Sequence, residues 1–501
     1  MLTRRTLFRV GGGIAVAATV VGSTGAGTAF GLGENWNELR DVLQGDLVLP
    51  ADAAYGQAKQ LQVGQYDAFS PDAIAFCETA QDVQKTVLFA QEYDLPIRVR
   101  SGGHNLNGWS SGDQVLIVDV SRINHATVNS GGTVQVGPGT QSVDALATLK
   151  PYNKQIVTGT CPTVCAGGFI SGGGVGFQTK KFGLAADRLV SAKVVLADGR
   201  IVKASAGQNS DLYWALRGGG GGNFGIVVDF EVRPIDAPRL VKFETIWSWD
   251  VAATALKAWQ EWTIGASRDL GSSLVVIPPY TGSPVVKIYG GYHGAQAPLE
   301  QALNDLATRI GAAPLSRTVS DMGYSDAMRS LYGCGDLTDD QCDRVGRNPE
   351  AVLGRTPFQR QSYALTSRVT TTSEAAGLLS AWNTNSGSLM HRFLIVQALG
   401  GAANDVSPSA TAFPHRSAQF LFGFQGGVDN EALVGDLGGW ADAGRTALAP
   451  VDSGAYINFP NSTKIRSWGS ANYGGNLDRL KRVKDKYDPF GFFAHPGSIL
   501  C

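Results

Sequence analysis

The chain has 501 residues, and its 42 basic and 43 acidic side chains leave a formal net charge of −1 at pH 7. A chain of this length can bury a large core and favours two or more domains. The balanced charge gives no support to nucleic acid or an anionic membrane surface as a partner, and we expect neither. The 64 glycines and the 17% charged fraction are typical of a loop-rich enzyme.

The N-terminus has the layout of a signal peptide. The pair Arg4-Arg5 precedes an apolar run over Val10–Val21, and small residues follow. Paired arginines in this position indicate twin-arginine export. A membrane anchor is the alternative, but the run is short and rich in glycine for a span. We predict a signal peptide over residues 1–33 and a secreted protein without stable membrane insertion.

The first half of the mature chain predicts a mixed set of strands, turns and helices. A capping box at Thr79 opens a helix that continues through Gln91. Pro96–Arg100 alternates apolar and basic residues as a strand does, and the apolar run Val115–Val120 indicates a buried strand. Val194–Val202 has Asp-Gly at its centre and predicts a hairpin.

The composition changes after Pro234. Apolar strands such as Leu274–Ile277 and Val285–Tyr289 alternate with helical stretches such as Leu299–Arg309. We predict a second domain, a sheet with helices, over residues 236–455. Its closely spaced tryptophans are expected in the core, with a place in a substrate cleft as the alternative: Trp247, Trp249, Trp259 and Trp262.

Two glycine-rich loops each present a reactive side chain. His104 follows Arg100-Ser101-Gly102-Gly103, and Cys161 begins the run Cys161–Gly168. Glycines let the backbone approach a ligand closely, so an imidazole and a thiol displayed this way can both bond one cofactor. A third glycine block, Arg217–Gly225, precedes the apolar strand Gly225–Phe230 rather than following a strand, which argues against a Rossmann domain.

Together with Gly172–Phe177 and Phe182–Asp187, these loops resemble the berberine-bridge-enzyme-like branch of the vanillyl-alcohol-oxidase flavoprotein family. The resemblance implies an α+β fold with two domains: a discontinuous FAD-binding domain over residues 34–235 and 456–501, and a substrate domain whose antiparallel sheet is flanked by helices. The C-terminal blocks Asn472–Leu480 and Tyr487–Pro489 carry the same resemblance.

The family resemblance further implies FAD attached twice, through its 8α-methyl to His104 and through C6 to Cys161. Cys165 is a rival for the second link, but the Gly-x-Cys-Pro-Thr-Val context favours Cys161. The remaining residues that we expect around the cofactor are Arg100, Ser101, Gly102, Gly103, Asn105, Gly167, Gly168, Gly172, Gly173, Gly174, Gly225, Ile226, Val227, Tyr473 and Asn476.

The other cysteines suggest structure rather than metal binding. Cys334 and Cys342 flank a short polar segment and could close a disulfide loop in an oxidising compartment. Cys77 and Cys501 remain without an assignment. No Cys/His grouping has zinc spacing, so we predict no metal site.

Alcohol oxidation needs a base beside the flavin. Relatives often use a Tyr-x-Asn-Tyr element, which here reads Tyr456-Ile457-Asn458-Phe459, so Tyr456 is the leading candidate, with a packed structural tyrosine as the alternative. Gln397 and Gln425 are candidates for substrate contact. Val164 stands at the family's oxygen gate, where valine accompanies oxidase behaviour. His415 is expected to be structural.

These features predict a secreted oxidase that converts an alcohol of a sugar, oligosaccharide or glycosylated metabolite to a carbonyl and reduces oxygen to hydrogen peroxide. An oxidative cyclase or desaturating oxidase of a natural product is the alternative, because Phe459 replaces the second tyrosine of the element. A flavin-binding protein without turnover is a third class, which peroxide release would remove.

Overall fold

The computed structural model describes residues 35–279, 282–384, 391–463, 465 and 467–499. The predicted signal peptide, including Arg4 and Arg5, lies outside these residues. Within them, no helix combines the length and apolar character needed to cross a membrane.

The His104 loop follows directly after a strand of the first sheet. Its strands are β1 (Asp46–Val48), β2 (Ala73–Phe76), β3 (Ile97–Arg100) and β4 (Leu116–Asp119), in the order β1-β2-β4-β3. The last three are parallel, so a helix must connect β2 to β3. That helix is Ala80–Glu92, and Thr79 caps it by accepting from the Asp82 amide at 3.1 Å. The predicted helix and both predicted strands are confirmed.

A second, antiparallel sheet lies beside the first. It contains β5 (Ala126–Val128), β6 (Val134–Val136), β8 (Leu189–Val195), β9 (Ile201–Ser205) and β10 (Ile226–Val232), in the order β5-β6-β10-β8-β9. A short pair, β7 (Lys154–Gln155) and β11 (Ile235–Asp236), stands apart. The predicted hairpin joins β8 to β9, and Gly199 takes the positive φ of +79° that its turn requires.

The largest sheet has seven strands, antiparallel throughout, in the order β15-β12-β14-β13-β17-β18-β16. They are β12 (Arg239–Ser248), β13 (Leu270–Ile277), β14 (Val285–Tyr292), β15 (Ser316–Gly323), β16 (Phe358–Thr366), β17 (His391–Ala398) and β18 (Phe420–Val428). Four helices contribute to a core against one face: Ala252–Gly265, Gln296–Ile310, Thr372–Asn383 and Val434–Leu448.

Alternation along these strands separates the two faces of the sheet. Phe420, Phe422 and Phe424 of β18 join the helix-side core, whereas Leu421 and Gln425 line a cavity on the other side. Trp247, Trp259 and Trp262 also lie buried in the helix-side core, and Trp249 packs against it, as predicted.

The described residues also form shorter α-helices: Asn35–Val42, Tyr55–Ala58, Ser142–Leu149, Ala166–Ser171, Thr179–Phe182, Ser210–Ala215, Tyr324–Leu331, Trp468–Tyr473 and Leu477–Tyr487. The last of these packs against Ser210–Ala215, which brings the C-terminal segment back to the first half of the chain. Lys484 secures this return, because its Nζ donates to the carbonyl oxygens of Asn223 at 2.7 Å and Phe493 at 2.8 Å.

Candidate active site

One cavity of about 480 Å³ is lined by both glycine-rich loops, the C-terminal segment and the open face of the large sheet. His104 and Cys161 both line it, although 56 residues of chain separate them in the printed sequence. Of the other residues predicted to bind cofactor, substrate or oxygen, the cavity lining contains Ser101, Gly102, Gly103, Asn105, Val164, Gly167, Gly168, Gly225, Val227, Gln397 and Gln425.

The two attachment candidates meet at Thr163. Its Oγ1 lies 2.8 Å from His104 Nε2 and 3.7 Å from Cys161 Sγ. Because Nε2 faces this hydroxyl, Nδ1 is the ring nitrogen left for another partner. The imidazole and the thiol thus both contact the Thr163 side chain. This closeness is what bonding to a single ligand requires.

Burial sets the protonation of both groups. Desolvation, aided by the nearby cations Arg344 and Arg347, lowers the pKa of His104 to about 3, so the imidazole is neutral at physiological pH. Burial raises the pKa of the Cys161 thiol, while hydrogen bonds from Thr163 and Val164 oppose that rise. The pair is therefore a neutral imidazole and a thiol rather than an ion pair.

Cys165, the rival thiol, packs beneath the first loop. Its Sγ donates to the Gly139 carbonyl oxygen at 3.2 Å, and a Cβ at Gly102 would lie only 2.9 Å from that sulfur. Burial raises the pKa of Cys165 to about 12. These contacts explain why glycine is needed at position 102 and give Cys165 a packing role.

Cys334 and Cys342, whose pairing the sequence left open, form a disulfide. It lies in the segment that contributes Arg344, whose side chain is buried and donates to the Gln60 carbonyl oxygen at 3.3 Å. His415 Nε2 lies 2.9 Å from the Asn472 carbonyl oxygen, the contact of a structural histidine. Within the described ranges, no group of three or more His, Cys, Asp or Glu side chains could hold a metal ion.

Several residues predicted at the cofactor do not reach the cavity, because main-chain or ionic partners hold them elsewhere. Arg100 pairs with Asp119 and donates to a carbonyl. The Tyr473 hydroxyl donates to Gly219 O at 3.0 Å, and Asn476 donates to three backbone carbonyls. Those outside the lining are Arg100, Gly172, Gly173, Gly174, Ile226, Tyr473, Asn476 and the candidate base Tyr456.

The glycines of the Gly172–Phe177 segment have a packing role. A Cβ at Gly172 would lie 1.9 Å from Asn458 Oδ1, and one at Gly174 would lie 2.6 Å from Ala185 Cβ. These positions let the segment pack against the Tyr456–Phe459 element. The structure thus gives these glycines a packing role, and their contact with the cofactor stays a prediction.

The wall formed by the large sheet is rich in amides. Gln359 and Tyr363 of β16, Gln397 of β17 and Gln425 of β18 line the cavity. Gln397 Nε2 is buried and has no hydrogen-bond partner among the described residues. Sequence reasoning missed Gln359 and Tyr363. Period-two alternation in β16 would have placed both side chains on one face, but not against this cavity.

The opposite end of the cavity has the features of a dinucleotide cradle. Gly220, Gly221 and Gly222 line it beside Arg98, whose Nε is buried without a described partner. A Cβ at Gly168 would meet nothing within 4 Å, so the backbone there borders open space. Exposed backbone suits a pyrophosphate, as does the free Nε of Arg98, whose Nη1 donates to the Ile97 and Ala494 carbonyl oxygens. The residues present therefore fit FAD.

The sequence matches two family models, an FAD binding domain over residues 71–205 and a berberine and berberine-like segment over residues 455–500. These matches, with the relatives below, support a berberine-bridge-enzyme-like FAD-linked oxidase. An uncharacterised FAD-linked oxidoreductase of Bacillus subtilis (strain 168) is 28% identical over 469 residues, which cover 91% of this chain and 97% of the relative.

Two further comparisons agree. A chitooligosaccharide oxidase of Gibberella zeae is 28% identical over 470 residues, covering 90% of this chain and 92% of the relative. A solved structure of a chitooligosaccharide oxidase superposes with a TM-score of 0.82 at 26% identity, covering 92% of this chain and 98% of the other. The predicted α+β flavoprotein fold and the FAD-dependent oxidase activity are confirmed. The two covalent links and the domain boundaries stay predictions.

Proposed function

We propose that this protein is a secreted oxidase that converts a hydroxyl of a sugar, oligosaccharide or glycosylated metabolite to a carbonyl and passes the electrons to oxygen, giving hydrogen peroxide. FAD is attached through His104 and Cys161. The observation that carries the proposal is the single cavity in which these two side chains meet a wall of amides.

The chemistry of that wall supports a neutral, hydroxyl-rich substrate. Its glutamines offer both donors and acceptors, which match the hydroxyls of a sugar. Of the described residues that line the cavity, none is Asp, Glu or Lys, so no such charge is present to bind a charged substrate. Relatives named as chitooligosaccharide, carbohydrate and xylooligosaccharide oxidases are consistent with this class.

In the proposed alcohol oxidation, the side chains that line the cavity have separate roles. FAD, when bound, supplies the hydride acceptor. His104 and Cys161 fix the ring, Gln397 presents an unpaired amide nitrogen to a substrate hydroxyl, and the partly buried Phe459 limits access of water. A base must take the hydroxyl proton.

Oxygen consumption over a panel of sugars, oligosaccharides and alcohol-bearing natural products tests the proposal, with product structures determined. We expect a neutral sugar or glycoside to be oxidised to a carbonyl with one peroxide released per turnover. Turnover confined to ring closure or desaturation of a natural product would replace this function by the alternative.

Replacing Val164 by leucine should slow reaction of the reduced protein with oxygen. Val164 lines the cavity three positions after Cys161, and the longer side chain would fill space beside the flavin. We expect reoxidation slower by about tenfold, equivalent to a barrier about 1.4 kcal/mol higher. Anaerobic reduction followed by stopped-flow mixing with aerated buffer measures it. Val164→Ala serves as control, and equal rates in all three proteins would contradict the gate.

The export route can be tested on the precursor. Replacing Arg4 and Arg5 together by lysine should retain the protein in the cytoplasm, already carrying FAD, because the twin-arginine route exports folded cargo. Cell fractionation with flavin fluorescence of the retained band measures the outcome. Undiminished secretion of the double variant would contradict this route.

A further inference from the structure

Two buried tyrosines lie near the amide wall, and only one of them lines the cavity. The Tyr363 hydroxyl donates to Gln425 Oε1 at 2.5 Å, and both side chains border the cavity. The Tyr456 hydroxyl instead accepts from the Gly174 amide at 2.8 Å and from Asn458 Nδ2 at 3.1 Å. The oxygen of Tyr456 accepts from two protein donors, whereas the Tyr363 O–H donates to an amide oxygen that borders the cavity.

Phe459 lies between the two tyrosines. Its ring centroid is 4.8 Å from that of Tyr363 and 5.7 Å from that of Tyr456. The last position of the Tyr-x-Asn-Phe element therefore adjoins Tyr363 in space. A hydroxyl absent from this element is supplied next to it by strand β16.

The orientation of Tyr363 is fixed from both sides. Its backbone N–H donates to Asn461 Oδ1 at 2.7 Å. Gly423 stands opposite it in β18, and a Cβ there would lie 2.0 Å from the tyrosine ring. The glycine makes room for the ring, so the hydroxyl reaches Gln425 in a defined direction.

We propose that Tyr363 is the catalytic residue that accepts the substrate's hydroxyl proton, and that Gln425 is the positioning residue that holds its oxygen. This inference rests on the proposed oxidase function and assigns the base that Tyr456 was expected to provide. It follows from the presence of Tyr363 and Gln425, and the absence of Tyr456, among the described residues that line the cavity.

The step balances as a two-electron oxidation. The substrate O–H bond breaks and its proton joins the Tyr363 phenolate oxygen, while the C–O bond becomes C=O. FAD, when bound, would accept the carbon's hydrogen with its electron pair as hydride, which balances the two electrons lost by the substrate. Gln425 can turn its amide so that an N–H donates to the phenolate. The proton returns to solvent between turnovers.

The phenolate requirement predicts a rate that rises with pH. Burial raises the pKa of both Tyr363 and Tyr456, so each is a neutral phenol at pH 7. The pKa of the cavity's histidines lies far below the alkaline range, at about 3 for His104 and for His495. Burial raises the pKa of Cys161 and Cys165 into the alkaline range, so the variants of the two tyrosines are needed to separate tyrosine from thiol titration. No acidic or basic side chain of β17 or β18 is in the described cavity lining.

The experiment measures anaerobic flavin reduction by the preferred alcohol against pH in matched Tyr363→Phe and Tyr456→Phe variants of the full protein. For Tyr363→Phe we expect a loss of at least about 100-fold, with the alkaline rise abolished. Tyr456→Phe should keep the rise and lower the melting temperature, because the Gly174 amide loses its acceptor. Covalent flavin content, read by mass, confirms that both variants fold.

Gln425→Leu and Gln397→Leu form a second matched pair. Gln425→Leu should move the midpoint of the pH profile upward, since the phenolate loses an N–H donor, whereas Gln397→Leu should raise KM and leave the midpoint in place. An alkaline rise retained by Tyr363→Phe and lost by Tyr456→Phe would overturn this inference alone. Failure of every alcohol to reduce the native protein's flavin would overturn the proposed function and the inference together.

Discussion

Replacing both His104 and Cys161 by alanine is expected to yield a protein that releases all its flavin on acid precipitation. The native protein should retain it, because covalent bonds survive unfolding whereas a merely bound cofactor is lost. The structure supports this expectation, since Thr163 Oγ1 lies within 3.7 Å of both side chains. Intact-mass analysis of the denatured proteins measures the attached flavin directly.

The single variants sharpen the test. His104→Ala and Cys161→Ala should each keep one link and so retain the flavin mass, with different absorption spectra. Cys165→Ala is the matched control, because this thiol lines the same cavity but already donates to Gly139 O. A flavin adduct persisting in the His104/Cys161 double variant, and disappearing on addition of Cys165→Ala, would transfer the second link to Cys165.

Replacing Lys484 by methionine is expected to destabilise the protein by about 3–5 kcal/mol, the cost of breaking a buried ion pair. The Lys484 side chain is 2% exposed and that of Asp488 is not exposed, with Nζ and Oδ2 2.6 Å apart. The same ammonium also donates to the carbonyls of Asn223 and Phe493. Its loss leaves the buried Asp488 carboxylate without its cation and removes the two hydrogen bonds that hold the C-terminal segment.

Lys486→Met provides the comparison. Lys486 pairs with Asp211 at 2.6 Å, but its side chain is 58% exposed, so we expect at most about 1 kcal/mol. Denaturant unfolding followed by tryptophan fluorescence measures both losses. Adding Asp488→Asn to Lys484→Met should recover part of the stability, because it removes the stranded charge. Equal losses in the two lysine variants would contradict a special role for the buried pair.

Local signals in the sequence were sufficient for several elements. The Thr79 N-cap, the Asp-Gly turn between β8 and β9 and the apolar run in β13 depend on residues a few positions apart. Such short-range preferences act before the chain is packed. The two cofactor loops were identifiable for a similar reason, since their glycines and reactive residues are contiguous.

Such local signals did not identify the candidate base. Tyr456 stands in a recognisable element, yet its hydroxyl is engaged by Gly174, which lies in a different loop. Tyr473 and Asn476 likewise stand in a recognisable block but bond backbone carbonyls. A motif names the residue type and not the direction of its side chain, which depends on donors and acceptors that distant segments supply.

The sequence by itself determined the flavoprotein family, the two reactive loops and the positions of several strands, because these are properties of contiguous residues. Only the tertiary structure decided that Tyr363 and Gln425 share the cavity. They are distant along the chain and meet because β16 and β18 pair in an antiparallel register that puts Tyr363 opposite Gly423, two residues from Gln425. Such register depends on non-local packing and on the room a glycine leaves, which no local pattern encodes.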